Sequence, residues 1–145
     1  LADGALVLDA GCGLGDGLRA LRGAYPRARL HGLEWSWPLA LLCRLRCPWA
    51  QVQRGDIWAA GWGAYQLVYL FQRPESMERV SAKALAEMAP GSWLVSLAFE
   101  VPGLAACAQL PGFAGQGVWI YRLGAAETAP GGAAKVVATA TDVTL

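Results

Sequence analysis

Four clusters in this sequence hold residues able to do chemistry. The first is the turn Asp9-Ala10-Gly11-Cys12-Gly13-Leu14-Gly15, with Gly17 close behind. Its glycines permit a sharp backbone and a ligand's close approach. The periodic leucines that follow predict a helix whose first N–H groups are free. The second is Glu34, 19 residues after Gly15. The third is Asp56 with Ile57, and the fourth is the segment Phe71 to Glu75.

The spacing narrows the ligand. A dinucleotide site wants GxGxxG so that pyrophosphate rests on the helix N-terminus. Here the pattern is GxGxG, and no register of the turn gives GxGxxG. A phosphate loop needs GK[ST], which is also missing. Asp9 would repel a phosphate and suit a cation. Glu34 stands where an acidic residue can chelate ribose hydroxyls. Asp56 is placed to accept from an adenine amino group. A ribose, an adenine and a positive end describe S-adenosylmethionine better than NAD.

The elements that must position these residues can be read from the hydrophobic pattern. Ala5 to Leu8 is a continuous apolar run, the mark of a strand buried on both faces. Leu14, Leu18, Leu21 and Tyr25 predict one helix face, ended before Pro26. Arg29 to Glu34 predicts a second strand, Pro38 to Cys47 a helix and Gln51 to Arg54 a weak third strand. Tyr65 to Phe71 reads as a strong buried strand. Glu75 to Met88 reads as a helix with Met77, Val80, Ala84, Leu85 and Met88 on its apolar face. Ser92 to Phe99 and Gly117 to Leu123 predict two later strands, with Pro102 to Gly117 a loop between them. Val136 to Val143 is an edge strand or a loose tail.

This alternation predicts an α/β, Rossmann-like doubly wound sheet, mostly parallel with an antiparallel late strand and helices on both faces. Right-handed crossovers would bring Asp9, Glu34, Asp56 and Phe71 to Glu75 to the carboxyl edge of that sheet, where such folds bind ligands. At 145 residues, with neither repeat nor linker, the chain reads as one domain over 1–145, its stretch 124–145 a flexible tail or edge strand.

Composition removes other classes. Hydrophobic residues are 55% and charged residues 16%, which excludes a disordered chain. A net charge of +1 gives no global field toward nucleic acid. No apolar run reaches the roughly 18 residues of a membrane span. Four cysteines without a CxxC pair, and one histidine, argue against a metal site and for reduced thiols in a cytoplasmic protein. The chain opens at Leu1 rather than Met, so the gene product is expected to be longer or trimmed.

These residues resemble the seven-strand class I S-adenosylmethionine-dependent methyltransferases. Leu8 to Gly15 is similar to their first motif, Gly32-Leu33-Glu34 to the second and Gly55-Asp56-Ile57-Trp58 to the third. The resemblance covers most of Ala5 to Leu123. It implies that Asp9, Gly11, Cys12, Gly13 and Gly15 hold the methionine part, Glu34 the ribose, and Asp56 with Ile57 the adenine. Trp35 would pack on adenine or ribose. A narrower resemblance joins Gly32-Leu33-Glu34, Trp37-Pro38-Leu39-Ala40, Arg44-Leu45-Arg46, Pro74-Glu75-Ser76-Met77 and Val118-Trp119-Ile120-Tyr121. These are similar to a family of protein lysine methyltransferases whose mitochondrial members modify the ATP synthase c subunit and the adenine nucleotide translocase. Those members carry an N-terminal hydrophobic segment that this sequence does not show, and Phe71-Gln72-Arg73-Pro74 departs from their loop before the proline. A bacterial relative is the expectation.

The implied reaction is in-line methyl transfer to an amine nitrogen, of a protein lysine or a small amine. The base-methylating motif Asn/Asp-Pro-Pro-Tyr is absent, so no nucleic-acid partner is expected. On the acceptor side Tyr69 could face the methyl group, Phe71 opens the acceptor loop, and Glu75 could take a proton. The seven tryptophans mostly read as core; Trp58, Trp62 and Trp119 could instead line an apolar acceptor groove or a partner surface. His31 and Cys12 read as structural. Two alternatives stand beside this reading: a non-catalytic S-adenosylmethionine-binding domain, and a nucleotide-dependent oxidoreductase.

Overall fold

The computed structural model describes residues 1–112 and 115–124. Strand β1 (Leu6–Ala10) leads through the glycine turn into helix α1 (Asp16–Ala24). Strand β2 (Arg29–Glu34), helix α2 (Trp37–Arg46) and strand β3 (Gln51–Arg54) follow. Strand β4 (Leu67–Leu70) is joined by a 3-10 turn at Pro74–Ser76 to helix α3 (Met77–Glu87) and strand β5 (Trp93–Leu97). Strands β6 (Ala108–Pro111) and β7 (Gly117–Arg122) complete one seven-stranded sheet, ordered β3-β2-β1-β4-β5-β7-β6. The first five strands pair in parallel; β7 runs antiparallel to β5 and to β6.

Each strand alternates between two cores, because successive side chains leave a strand on opposite faces. Val7, Leu30, Val52 and Leu67 meet Leu18 and Leu21 of α1 and Cys43 of α2 on one face. Leu8, Leu33, Val68, Leu70 and Leu94 meet Met77, Val80 and Ala84 of α3 on the other. Helices therefore cover both faces, as the alternation predicts. The chain order reverses between β1 and β4, the switch point at which such sheets open a crevice.

The structure refines the sequence reading in detail. The stretch read as loop contains β6, a four-residue edge strand ending at Pro111. A proline is tolerated there because it need not donate to the ladder. Leu85 lies outside the apolar face of α3 and is 60% exposed, and Leu14 precedes α1 rather than joining it. Of the two readings of Trp62, core and groove, the structure has the first: it is fully buried in the α3-side core. The edge strand or tail expected at 136–143, like everything expected of 125–145, lies outside the described residues.

Trp62 anchors the crossover from β3 to β4, which is a loop instead of a helix. Its backbone N–H donates to Glu87 Oε2 at 2.9 Å. Lys83 Nζ donates to Glu87 Oε1 at 2.6 Å and to the Trp58 carbonyl at 3.0 Å. Helix α3 thus holds from below the loop that carries Asp56, Ile57 and Trp58. Replacing Trp62 by Ala should cost about 3–5 kcal/mol of stability, the usual loss for a large buried aromatic. Urea unfolding measures it, and a loss below about 1 kcal/mol would be that of a surface residue.

Candidate functional site

The glycine turn is held by two carboxylates at the ends of neighbouring strands. Gly15, with φ of 91°, precedes α1 and offers that helix no side-chain cap. An N-cap side chain normally accepts from the third helical N–H. Here that N–H belongs to Leu18, and it is bonded by the carboxylate of Asp9, arriving from β1. Gly17 makes this possible. A Cβ at Gly17 would lie 2.5 Å from Asp9 Oδ2 and 2.7 Å from the Tyr69 ring. The second carboxylate is Glu34. Gly13 N–H donates to its Oε2 and Ser36 N–H to its Oε1, each at 2.9 Å. One side chain therefore ties the turn to the entry of α2.

The backbone of β2 adds a third tie. The N–H groups of Gly11 and Cys12 both donate to the Leu33 carbonyl at 2.9 Å. Cys12, Cys43 and Cys47 fill the space behind. Cys12 Sγ lies 3.7 Å from Cys43 Sγ, and Cys47 Sγ lies 3.7 Å from the Gly15 carbonyl. All three are buried, and burial pushes each thiol above its ordinary pKa. Cys12 is thus packing, not a nucleophile.

Above the turn a cleft of about 300 Å³ opens at the carboxyl ends of β1 to β4. Gly11, Glu34, Trp35, Gly55, Asp56, Ile57, Trp58 and Gln72 line it. It therefore gathers six residues singled out from the sequence: Gly11, Glu34, Trp35, Asp56, Ile57 and Trp58. Asp9, Cys12, Gly13 and Gly15 stand behind its wall, as support. Asp56 Oδ1 accepts from Trp58 N–H at 2.9 Å. Trp35 is 66% exposed at the rim, with the Arg54 guanidinium 5.4 Å from its ring centre.

The acceptor-side residues are more dispersed. Tyr69 is half-buried beside Gly17, and burial together with the Asp9 charge pushes its phenol above the usual range. Phe71 and Glu75 are exposed beyond β4, Glu75 in the 3-10 turn. His31 lies within β2 on the opposite core face, its Nδ1 3.2 Å from the Tyr65 hydroxyl, clear of the cleft. Trp119 is half-buried against the α3-side core, not in the cleft.

One lining residue, Gln72, has no role of its own in a reading of the motifs. Gln72 Nε2 donates to the Ala10 carbonyl at 3.4 Å, joining the ends of β1 and β4. A Cβ on Gly11 would stand 2.8 Å from that nitrogen and push the Gln72 amide aside, while the φ of 88° itself favours glycine. The only sequence signal for Gln72 is its place just after β4. Trp58 lines the cleft, and the Arg79 guanidinium lies 4.2 Å from its ring centre.

Asp9 dominates the electrostatics. It is 3% exposed, and its pKa rises from the ordinary 3.8 to about 7. Desolvation is the main cause, opposed by the Leu18 N–H and reinforced by the charges of Glu34 and Asp16. No described cation offsets it. A cationic ligand placed over the turn would supply the missing charge, and a phosphate would add to the repulsion.

Residues 9–108 match the family model of the ANTKMT methyltransferase domain. Among curated proteins none matches the chain. Among solved structures it is similar to an RNA methyltransferase from Salinibacter ruber in complex with S-adenosyl-L-homocysteine. The identity is 18% and the TM-score 0.75, over 86% of this chain and 84% of that one. A TehB-like SAM-dependent methyltransferase from Corynebacterium glutamicum is 16% identical with a TM-score of 0.62, over 85% and 82%. The mitomycin 7-O-methyltransferase MmcR is 18% identical with a TM-score of 0.67, over 82% and 49%. The match covers less than half of two other proteins, a geranyl diphosphate methyltransferase and StiE O-MT.

The raised pKa of Asp9 makes stability depend on pH. Below about pH 4 the carboxyl is protonated in folded and unfolded chains alike. From there to about pH 7 only the folded chain keeps the proton, so stability falls as pH rises, and above about 7 the loss is complete. Denaturant unfolding from pH 4 to pH 8 should show a decline of a few kcal/mol from this group, on the order of 1.4 kcal/mol per pKa unit. Asp9→Asn should flatten it; an unchanged slope would remove Asp9 as its source.

Proposed function

The chain belongs to the ANTKMT methyltransferase domain family, and from that membership we propose that it transfers a methyl group from S-adenosylmethionine to an amine nitrogen, of a protein lysine or a small amine. The observation that carries the cofactor half is the pairing of Glu34 and Asp56 in one cleft over the uncompensated Asp9. Bound there, S-adenosylmethionine supplies an electrophilic methyl on a permanently positive sulfur.

The residues fit such a ligand. Each oxygen of Glu34 accepts one backbone N–H and keeps a further lone pair for a ribose hydroxyl. Asp56 has its Oδ1 committed to Trp58 N–H, which leaves Oδ2 to accept from an adenine amino group. Ile57 and Trp35 supply apolar surface to the base. Asp9, Gly11, Cys12, Gly13 and Gly15 form the support for the methionine end. Asp9 acts there as a buried negative charge rather than as a direct ligand.

The acceptor approaches from the β4 end. An amine must lose its proton before its lone pair can attack, and a lysine begins near pKa 10.4. An apolar approach past Phe71 lowers that pKa by desolvation. Glu75, exposed at the loop, is placed to attract the ammonium and receive its proton. S-adenosylmethionine held in the cleft would supply its methyl to the nitrogen lone pair, the electrons of the S–C bond remaining on sulfur. Alignment supplies most of the acceleration. Tyr69 positions rather than reacts, since its phenol stays protonated between Asp9 and Gly17.

Calorimetric titration tests the cofactor half. S-adenosylmethionine and S-adenosylhomocysteine should bind and NAD should not. Glu34→Ala should weaken both sulfur ligands roughly tenfold to a hundredfold, the usual worth of hydrogen bonds to a charged group. NAD binding alone would overturn the reading. A lysine peptide should gain methyl mass when incubated with the protein and S-adenosylmethionine, and binding without transfer to any amine would leave a cofactor-binding domain in its place. Affinity for the cationic cofactor should also rise with pH as Asp9 ionises, near pH 7.

A further inference from the structure

Helix α2 presents its most apolar side to solvent. Ala40 and Cys43, with the C-cap Cys47, form its buried stripe. At 100° per residue, Leu41, Leu42 and Leu45 point the opposite way, and they are 45%, 47% and 71% exposed. Tryptophans flank the leucines: Trp35 and Trp37 before them, Trp49 after. A guanidinium accompanies the tryptophan at each end, Arg54 at Trp35 and Arg22 at 4.7 Å from Trp49. Arg44 and Arg46 border the leucines on either side of the helix. From Trp35 to Arg54 the chain contains no Asp or Glu.

We propose that this face of α2 is a docking surface for an anionic phospholipid bilayer, on which the helix lies in the plane of the interface. The arrangement meets each physical demand of that site. Leucines in the middle have acyl chains to enter and tryptophans at both ends suit the headgroup boundary. Arg44, held by its Nε on the Val52 carbonyl, and Arg46, held on the Leu14 carbonyl and Asp16, are exposed and fix positive charge along the flanks of the leucines, where lipid phosphates would lie. The helix is about 15 Å long and cannot span. Charge decides against a second copy of the chain. A two-fold pairing sets a patch against itself, and here it would oppose Arg44, Arg46 and Arg54 to their own copies with Asp16, already held by Arg46 at 2.9 Å, as the neighbouring carboxylate. Docked this way, Trp35 puts the rim of the cleft beside the headgroups.

The test needs no cofactor, so its failure is separate from any failure of the methyl-transfer reading. The whole chain is sedimented with vesicles of phosphatidylglycerol and phosphatidylcholine, and with phosphatidylcholine alone. Binding to the anionic vesicles, weakened by salt, is expected. Leu41→Glu with Leu45→Glu should lower partitioning on the order of a hundredfold, from the loss of two buried leucines. Both positions are exposed, so the far-ultraviolet circular dichroism should stay as in the parent. Arg44→Gln with Arg46→Gln should abolish the preference for anionic lipid. A chain that stays in the supernatant overturns the proposal. So does binding that the leucine variants leave unchanged, or concentration-dependent dimerisation that they remove in analytical ultracentrifugation.

Discussion

The site depends on where one carboxylate goes. Asp9 leaves β1 and turns under the chain, giving α1 the cap that its own N-terminal residue, Gly15, lacks. Together with the ties from Glu34 and the Leu33 carbonyl, it holds the glycine turn and the start of α1 against the end of β1. It also holds an anion in a place where burial works against ionisation. Gly17 is the accompanying constraint, because any side chain there would occupy the space of the carboxyl and the Tyr69 ring. Glu34 repeats the device one strand away, joining the turn to the start of α2. Two acidic residues thus shape the backbone first and become available to a ligand second.

The floor of the cleft is built differently. No helix follows β3, and the loop that carries Asp56 would be free without α3 beneath it. Lys83 and Glu87 bind its backbone, and Trp62 fills the core under it. The cleft therefore rests on both cores: its glycine wall on the α1 side and its Asp56 wall on the α3 side. Gln72 closes the gap between β1 and β4, at the switch point of the sheet.

Much of this was legible in the sequence. The parallel strands are near-continuous apolar runs, and Ala5 to Leu8 and Tyr65 to Phe71 could be seen as such, although β4 is shorter than its run. Glu34, Asp56 and the glycines were visible because a βα order puts strand ends on one edge. What escaped was tertiary. Strand β6 is too short and too poor in apolar alternation to signal itself. Trp62 reads from sequence as core or as groove, and the position of α3 decides for core. Leu85 keeps helical spacing with its neighbours but lies at the margin of the stripe, where solvent reaches it. Gly17 and Gln72 matter through what stands across from them, and no local pattern carries that.

The three thiols packed behind the glycine turn have a practical consequence. Cys107 is half-exposed, whereas Cys12, Cys43 and Cys47 are closed off together by Gly15 and by each other. A reagent that modifies thiols reaches those three only when the turn lifts away from α2. Their rate of modification is a clock for that opening, internal to the chain and readable without any label. A ligand that holds the turn shut would slow the clock in proportion to its occupancy, whatever the ligand is and whether or not a reaction follows.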